Sequence, residues 1–107
     1  MKMTTQDEFK DFEIEETIGL VRGNTIRARH IGKDIIAGLR TIVGGEIPEY
    51  TKMLAEAREQ AVDRMIQEAE SMGANGIVTL RFTTSTILQG SAELLAYGTA
   101  VKIKPKS

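Results

Sequence analysis

Apolar residues recur every three or four positions between Pro48 and Met72, and this spacing predicts a long amphipathic helix. The apolar stripe consists of Tyr50, Leu54, Ala57, Ala61, Met65, Ala69 and Met72. Pro48 suits the first turn of a helix, and Gly73 suits the left-handed position just after a helix end. At about 1.5 Å per residue, such a helix is about 37 Å long. Because the stripe is rich in alanine, we expect the helix to lie close to a sheet.

Alternating apolar and polar residues before the helix predict β-structure. We expect a strand from Phe12 to Arg22, with a bulge or a close backbone approach at Gly19. Gly23-Asn24 is typical of a turn, and Thr25 to His30 then predicts a short second strand. The next apolar run, Lys33 to Val43, has helical spacing after a potential N-cap at Asp34, although a buried strand is the alternative.

Two further strands are predicted after the helix. The first runs from Ile77 to Thr83, with Val78, Leu80 and Phe82 on one face, and Thr84 to Gly90 is expected to be a connection. The second runs from Ala92 to Lys104 and is apolar or small on both faces, which is typical of a strand covered on both sides. Together the elements predict an α+β domain with one long helix on a small antiparallel sheet.

This architecture predicts a homo-oligomer. One helix covers only one face of a sheet, and a chain of 107 residues without disulfides needs more buried surface than that arrangement supplies. The two-sided apolar strand and the apolar run from Lys33 to Val43 are the surfaces that we expect neighbouring subunits to cover.

Composition narrows the possible chemistry. The chain has 107 residues, a net charge of −1 and no cysteine, which predicts one domain and excludes disulfides, thiolate metal sites and a thiol nucleophile. No apolar run is long enough to span a membrane, and the start of the chain does not resemble a secretory signal. We therefore expect a cytoplasmic protein with no membrane partner, whose residues 1–11 form a loose N-terminal segment.

Three segments resemble those of the YbjQ-like family. They are Asp34 to Gly45, the helix with its exit Gly73-Ala74-Asn75-Gly76, and the closing strand Ala96-Tyr97-Gly98-Thr99-Ala100-Val101. The resemblance implies a β-α-β-β subunit, similar to that of dodecins, in a ring-like homopentamer. It also implies the family's label, "putative heavy-metal-binding", but no demonstrated activity. A metal ion is thus suggested by the family alone, and the identity of any cofactor stays open.

The residues themselves favour neither metal binding nor catalysis. Soft metal sites need thiolates or several imidazoles, and the chain has a single histidine, His30, which is only a weak candidate ligand. No nucleophile motif or phosphate-binding loop occurs, so an enzyme is not favoured. The near-neutral charge and few aromatic residues do not favour nucleic acid as a partner.

Four polar residues within closely packed motifs are candidates for a ligand pocket between subunits. They are Arg40, Tyr50, Arg58 and Tyr97. A charge or hydroxyl in such a setting needs a partner, and a small anion is one. An ion pair between subunits, with Glu46 or Glu59, is the alternative. The sequence thus predicts a non-enzymatic homopentameric binding or assembly module. The alternative is a low-turnover enzyme, or a small-anion-binding protein, with its site at subunit interfaces.

Overall fold

The structure, a computed structural model, describes residues 1–28, 48–88 and 91–107. The described elements are β1 (Lys2–Met3), β2 (Phe12–Ala28), α1 (Pro48–Ser71), β3 (Gly76–Leu88) and β4 (Ser91–Pro105). The described strands form one mixed sheet in the order β1-β3-β4-β2, and α1 packs on β2 and β4. The predicted α+β class with a long helix on a sheet is confirmed. The predicted element at Lys33 to Val43 lies outside the described residues.

Helix α1 has the predicted ends and the predicted buried stripe. Ala57, Ala61, Met65 and Ala69 are almost completely buried. The Gly73 amide donates to the Glu70 carbonyl at 3.0 Å, and the Ala74 amide donates to the Ala69 carbonyl, also at 3.0 Å. With Gly73 at φ 84°, these bonds form a Schellman motif, in which a glycine in the left-handed region ends the helix.

Strand β2 is continuous through Gly23-Asn24, so the predicted turn there is wrong. Gly23 faces α1, and a Cβ atom added to it would lie 2.1 Å from the Ala61 carbonyl oxygen and 2.4 Å from the Met65 amide nitrogen. The glycine therefore allows a close approach of strand and helix backbones rather than a reversal of the chain. Two residues further along, the buried Thr25 hydroxyl donates to the Ala57 carbonyl at 3.2 Å. The predicted bulge at Gly19 is confirmed by a register shift between Thr17 and Gly19.

Strand β3 is longer and less regular than predicted, since it continues through Thr84 to Leu88. A register shift between Val78 and Arg81 contains Thr79, which has a φ of 57°. This irregularity changes which side chains share a face: Val78 packs with Val101 and Ile103, whereas Leu80 packs with the cluster beneath α1. The expectation that Val78, Leu80 and Phe82 form one apolar face is therefore wrong.

The N-terminal segment is part of the fold, contrary to the expected loose residues 1–11. β1 pairs in parallel with the start of β3, and the Thr79 amide donates to the Gln6 carbonyl at 2.8 Å. Phe9 packs, together with Phe12, over a small cluster of Val78, Val101 and Ile103. The segment was missed because β1 is only two residues long, both exposed, and it pairs through its backbone. The sheet is therefore mixed, and the expected purely antiparallel sheet needs correction.

Strand β4 lies between β3 and β2 and has apolar residues on both faces, as predicted. Leu94, Ala96 and Ala100 are buried on the helix side, while Val101 and Ile103 are buried on the opposite side. On the side away from α1, the preceding residues of the strand, Leu95, Tyr97 and Thr99, are only half-buried. This middle section of β4 is therefore only partly covered by its own chain.

Candidate functional site

The sheet presents two surfaces that the described chain leaves partly uncovered. One is the groove between α1 and β3, on the helix side, because α1 packs mainly over β2. The other is the open face, which we define as the side away from α1 beyond the region covered by Phe9 and Phe12. Among the exposed large apolar side chains, Phe82 lies in the groove, and Leu20 and Ile26 lie on the open face.

The α1–β3 groove is apolar at its base and charged along its rim. Phe82 and Val62 line the base, and Arg58, Glu59 and Asp63 line the rim. An adjoining hollow continues from Val62, Leu80 and Phe82 to the N-terminal residues Met3, Thr4 and Thr5. Phe82 is 46% exposed, which is unusual for a phenylalanine that faces a helix. The groove therefore has the composition of a docking surface.

The described part of the chain separates the residues that were predicted to share a pocket. Arg58 is exposed on α1 in the groove, whereas Tyr97 is half-buried on the open face, on the other side of the sheet. The described part of the structure does not include Arg40, Glu46 or the Tyr50 side chain. A pocket that contains both Arg58 and Tyr97 thus requires two chains, and the pocket stays a prediction. Arg58 and Glu59 line the same groove, but no ion pair within 4.0 Å joins them.

Strand pairing brings together three residues that the sequence analysis did not combine. Tyr97 of β4 is directly opposite Arg22 of β2 on one side and Arg81 of β3 on the other. Paired residues in antiparallel strands point to the same face, so these three side chains form one row across the open face. Their positions in the sequence are too far apart to reveal this; only the register of both strand pairs does so. We refer to Arg22, Tyr97 and Arg81 as the basic row.

The ion pairs of the described residues lie at the far end of the sheet from the basic row. The Lys104 ammonium is 3.2 Å from a Glu13 carboxylate oxygen and 3.7 Å from one of Glu15. The hydrogen bond and the charge of Glu13, with a smaller contribution from Glu15, raise the pKa of Lys104 above its ordinary value of 10.5. All of these groups are solvent-exposed, so the pairs contribute little to the stability of the fold.

A family model described as "Putative heavy-metal-binding" matches residues 1–104. The chain belongs to the YbjQ-like family. It is 68% identical over 104 residues to a UPF0145 protein of Methanococcus vannielii, with 97% of this chain and 99% of that protein covered. A UPF0145 protein of Methanosarcina acetivorans is 56% identical over 103 residues, with 96% and 97% covered. The family resemblance predicted from the sequence motifs is therefore confirmed.

A solved structure supports the fold. A protein of unknown function from Pediococcus pentosaceus, which belongs to the DUF74 family, matches with a TM-score of 0.68. The two chains are 18% identical, and the match covers 97% of this chain and 98% of the other. At this identity the likeness concerns the fold alone. In the described part of the YbjQ-like chain, the helix is not long and apolar enough to cross a membrane.

The described donor residues do not fit the heavy-metal description of the family. No group of three or more histidine, cysteine, aspartate or glutamate side chains is placed to hold a metal ion in residues 1–28, 48–88 and 91–107. Cysteine is missing from the whole sequence, and the single histidine, His30, lies outside the described residues. Soft metal ions prefer thiolate and imidazole ligands, so the described surface offers them no built site.

Proposed function

We propose that this YbjQ-like chain is the subunit of a non-enzymatic homo-oligomeric binding module of the cytoplasm. The family resemblance suggests a ring of five subunits. The observation that carries the proposal is Phe82, which is 46% exposed at the base of the α1–β3 groove. An aromatic side chain in an apolar groove with a charged rim matches the anatomy of a protein interface.

The exposed part of Phe82 has a substantial energetic value. A phenylalanine side chain presents about 200 Å² of surface, so 46% exposure leaves roughly 90 Å² in water. At about 25 cal/mol per Å², covering this area would contribute roughly 2 kcal/mol per subunit. In a closed ring of identical subunits the groove of each subunit would be covered by its neighbour, so this gain would recur once per subunit.

The edge of β3 supports the same proposal. β1 pairs only with Gly76 and Ile77, and two further amides, of Thr79 and Leu80, donate to the N-terminal segment. From Arg81 to Leu88, this edge has no strand partner among the described residues. Exposed edges of this length are usually paired or protected, because they otherwise invite aggregation. A strand added by a neighbouring copy would satisfy the edge next to the groove.

The test replaces the groove phenylalanine and measures the size of the particle. Phe82→Ser should shift the protein to smaller species in sedimentation velocity at a fixed protein concentration, because the groove loses its apolar anchor. Ile26→Ser is the matched control, since Ile26 is an exposed apolar strand residue on the open face. Circular dichroism checks that both variants keep the helix.

The control variant should sediment like the unmodified protein. If only Ile26→Ser dissociates the particle, subunits meet through the open face and the groove is not the contact. If neither variant changes the particle, Phe82 is not an interface anchor and this argument for assembly fails.

A further inference from the structure

The basic row contains two arginines that the described chain supplies with no carboxylate. Within the described residues, the ion pairs shorter than 4.0 Å all involve Lys104, and none reaches Arg22 or Arg81. Of the carboxylates on the open face, Glu93 already accepts a hydrogen bond from the Asn24 amide at 3.3 Å. Each guanidinium group carries one positive charge, so the row is a local concentration of positive charge.

Arg81 is held in place by the backbone and keeps donors to spare. Its Nη1 atom donates to the Thr5 carbonyl at 2.7 Å and to the Leu80 carbonyl at 2.9 Å. A guanidinium group has five N–H donors, and no acceptor among the described residues binds Nε or Nη2, so both can bind a ligand. Because these two bonds already restrict the side chain, a ligand bound here would cost less conformational entropy than one bound by a free arginine.

The spacing of the row suits one anion placed over its centre. Neighbouring strands lie about 4.8 Å apart, so the Cα atoms of Arg22 and Arg81 are about 10 Å apart with Tyr97 between them. Arg22 can extend over the centre of the row, and Arg81 can offer Nε and Nη2 from the β3 side while its Nη1 stays bonded to the Thr5 and Leu80 carbonyls. The Tyr97 hydroxyl, on a half-buried ring, would add a third donor between them. Planar guanidinium forks match the oxygen atoms of a phosphate group.

The surroundings of the row are apolar on two sides. Leu95 occupies the next position along β4 on the open face, and Leu20 of β2 lies opposite Thr99. Leu20 is 64% exposed and Leu95 is half-buried. Such neighbours lower the local dielectric and offer contact to the body of a ligand beside its charged group.

We propose that the basic row is a binding site for a phosphate group. The ligand is free phosphate or a phosphate monoester whose body rests on Leu20 or on Leu95, which lie on opposite sides of the row. This site is separate from the α1–β3 groove and does not depend on the proposed assembly, since its three residues come from one chain.

To test this, the unmodified full chain is titrated with inorganic phosphate and, separately, with phenyl phosphate. NMR chemical shifts locate the binding site, and calorimetry measures the affinity. We expect the shifts to centre on the three residues of the row. Tighter binding of phenyl phosphate would assign an ester with an apolar body, and equal affinities would assign free phosphate.

Variants then test the role of each donor. Arg22→Gln should weaken phosphate binding about tenfold or more, because it removes a charge-assisted donor, and Arg22→Lys should recover part of the loss. Tyr97→Phe should weaken binding about threefold to tenfold through loss of one hydroxyl. Lys52→Gln, which removes an equal charge from the exposed side of α1, should leave the affinity unchanged.

Three results would overturn the proposal. The first is that neither probe shifts the row. The second is that Lys52→Gln and Arg22→Gln weaken binding equally, which would make the effect one of net charge. The third is that Arg22→Gln changes the particle size in sedimentation without changing phosphate affinity, which would make Arg22 a subunit contact. A change of particle size in Phe82→Ser alone bears on the proposed assembly and not on this site.

Discussion

Replacing Gly23 by alanine tests how the helix is seated on the sheet. A Cβ atom at this position would lie 2.1 Å from the Ala61 carbonyl oxygen, 2.4 Å from the Met65 amide nitrogen and 2.9 Å from the Arg64 Cβ. These are mostly backbone atoms within a regular helix, so no side-chain rotation relieves the overlap. The helix must move away from β2 by about 1 Å or more to restore ordinary van der Waals distances.

The cost of this movement follows from the contacts that it opens. Overpacking of a core costs about 1–3 kcal/mol, and a shift of the whole helix loosens the packing around Ala61 and Met65 as well. The buried bond from the Thr25 hydroxyl to the Ala57 carbonyl is stretched, at a further cost of about 1 kcal/mol. Against this, alanine restricts the unfolded chain and restores about 0.4–1 kcal/mol. We expect a net loss of about 1–4 kcal/mol in the free energy of unfolding.

The assay is urea unfolding followed by circular dichroism at a fixed protein concentration, because association contributes to the measured stability of an oligomer. Gly76→Ala is the matched control. A Cβ there would meet side-chain atoms of Val101, Ile103 and Phe9 at 3.2–3.4 Å, and these atoms can give way. Gly76→Ala should therefore cost clearly less than Gly23→Ala. Equal losses, or a Gly23→Ala variant within about 0.5 kcal/mol of the unmodified protein, would refute the close-approach argument.

Two further predictions concern the closing strand. Asn75→Ala should lower the free energy of unfolding by about 1–3 kcal/mol, because the Asn75 side chain donates to the Ile103 carbonyl at 2.9 Å and accepts from the Ile103 amide at 2.7 Å. Asn24→Ala, at an exposed side chain, should change it by less than about 0.5 kcal/mol in the same urea experiment, and equal losses would contradict the prediction. The pKa of Lys104 is raised in the folded state. The contribution of Lys104 to the free energy of unfolding is therefore fully present below about pH 10.5, the unfolded pKa, and is lost as pH rises through the folded pKa. The stability difference between the unmodified protein and Lys104→Gln should therefore shrink at strongly alkaline pH, and a difference that grows there would contradict this assignment.

The elements with a strong side-chain pattern were predictable from the sequence. The stripe of α1, its glycine terminator and the two-sided apolar character of β4 follow from periodicity, and the structure has all three. Burial of apolar side chains dominates the energetics of α1 and β4, so the structure of both elements can be read from their apolar pattern.

The wrong predictions fall where the backbone, rather than side-chain burial, decides the structure. Gly23-Asn24 has the composition of a turn, yet Gly23 is needed for contact with the alanine-rich face of α1. β1 is held by backbone pairing, which leaves no periodic pattern in two exposed residues. The continuation of β3 through Thr84 to Leu88 is rich in threonine and serine, and the β-propensity of threonine was the available evidence for it.

The candidate sites were less predictable than the fold. Arg58 and Tyr97 were selected as polar residues in closely packed motifs, but Arg58 is exposed, and the separation of the two residues by the sheet depends on which face each strand residue occupies. The basic row depends on the register of two strand pairs at once, and the shift between Val78 and Arg81 determines which β3 residue lies opposite Tyr97. A bulge of this kind leaves no reliable trace in one sequence.

The most direct test of the proposed assembly is native mass spectrometry of untagged protein. We expect one dominant species whose mass equals a whole number of 11.8 kDa chains, five on the family resemblance, and Phe82→Ser should release subunits from it. A single 11.8 kDa monomer at micromolar concentration would contradict the account, because the α1–β3 groove and the β3 edge would then be stable in water without another copy.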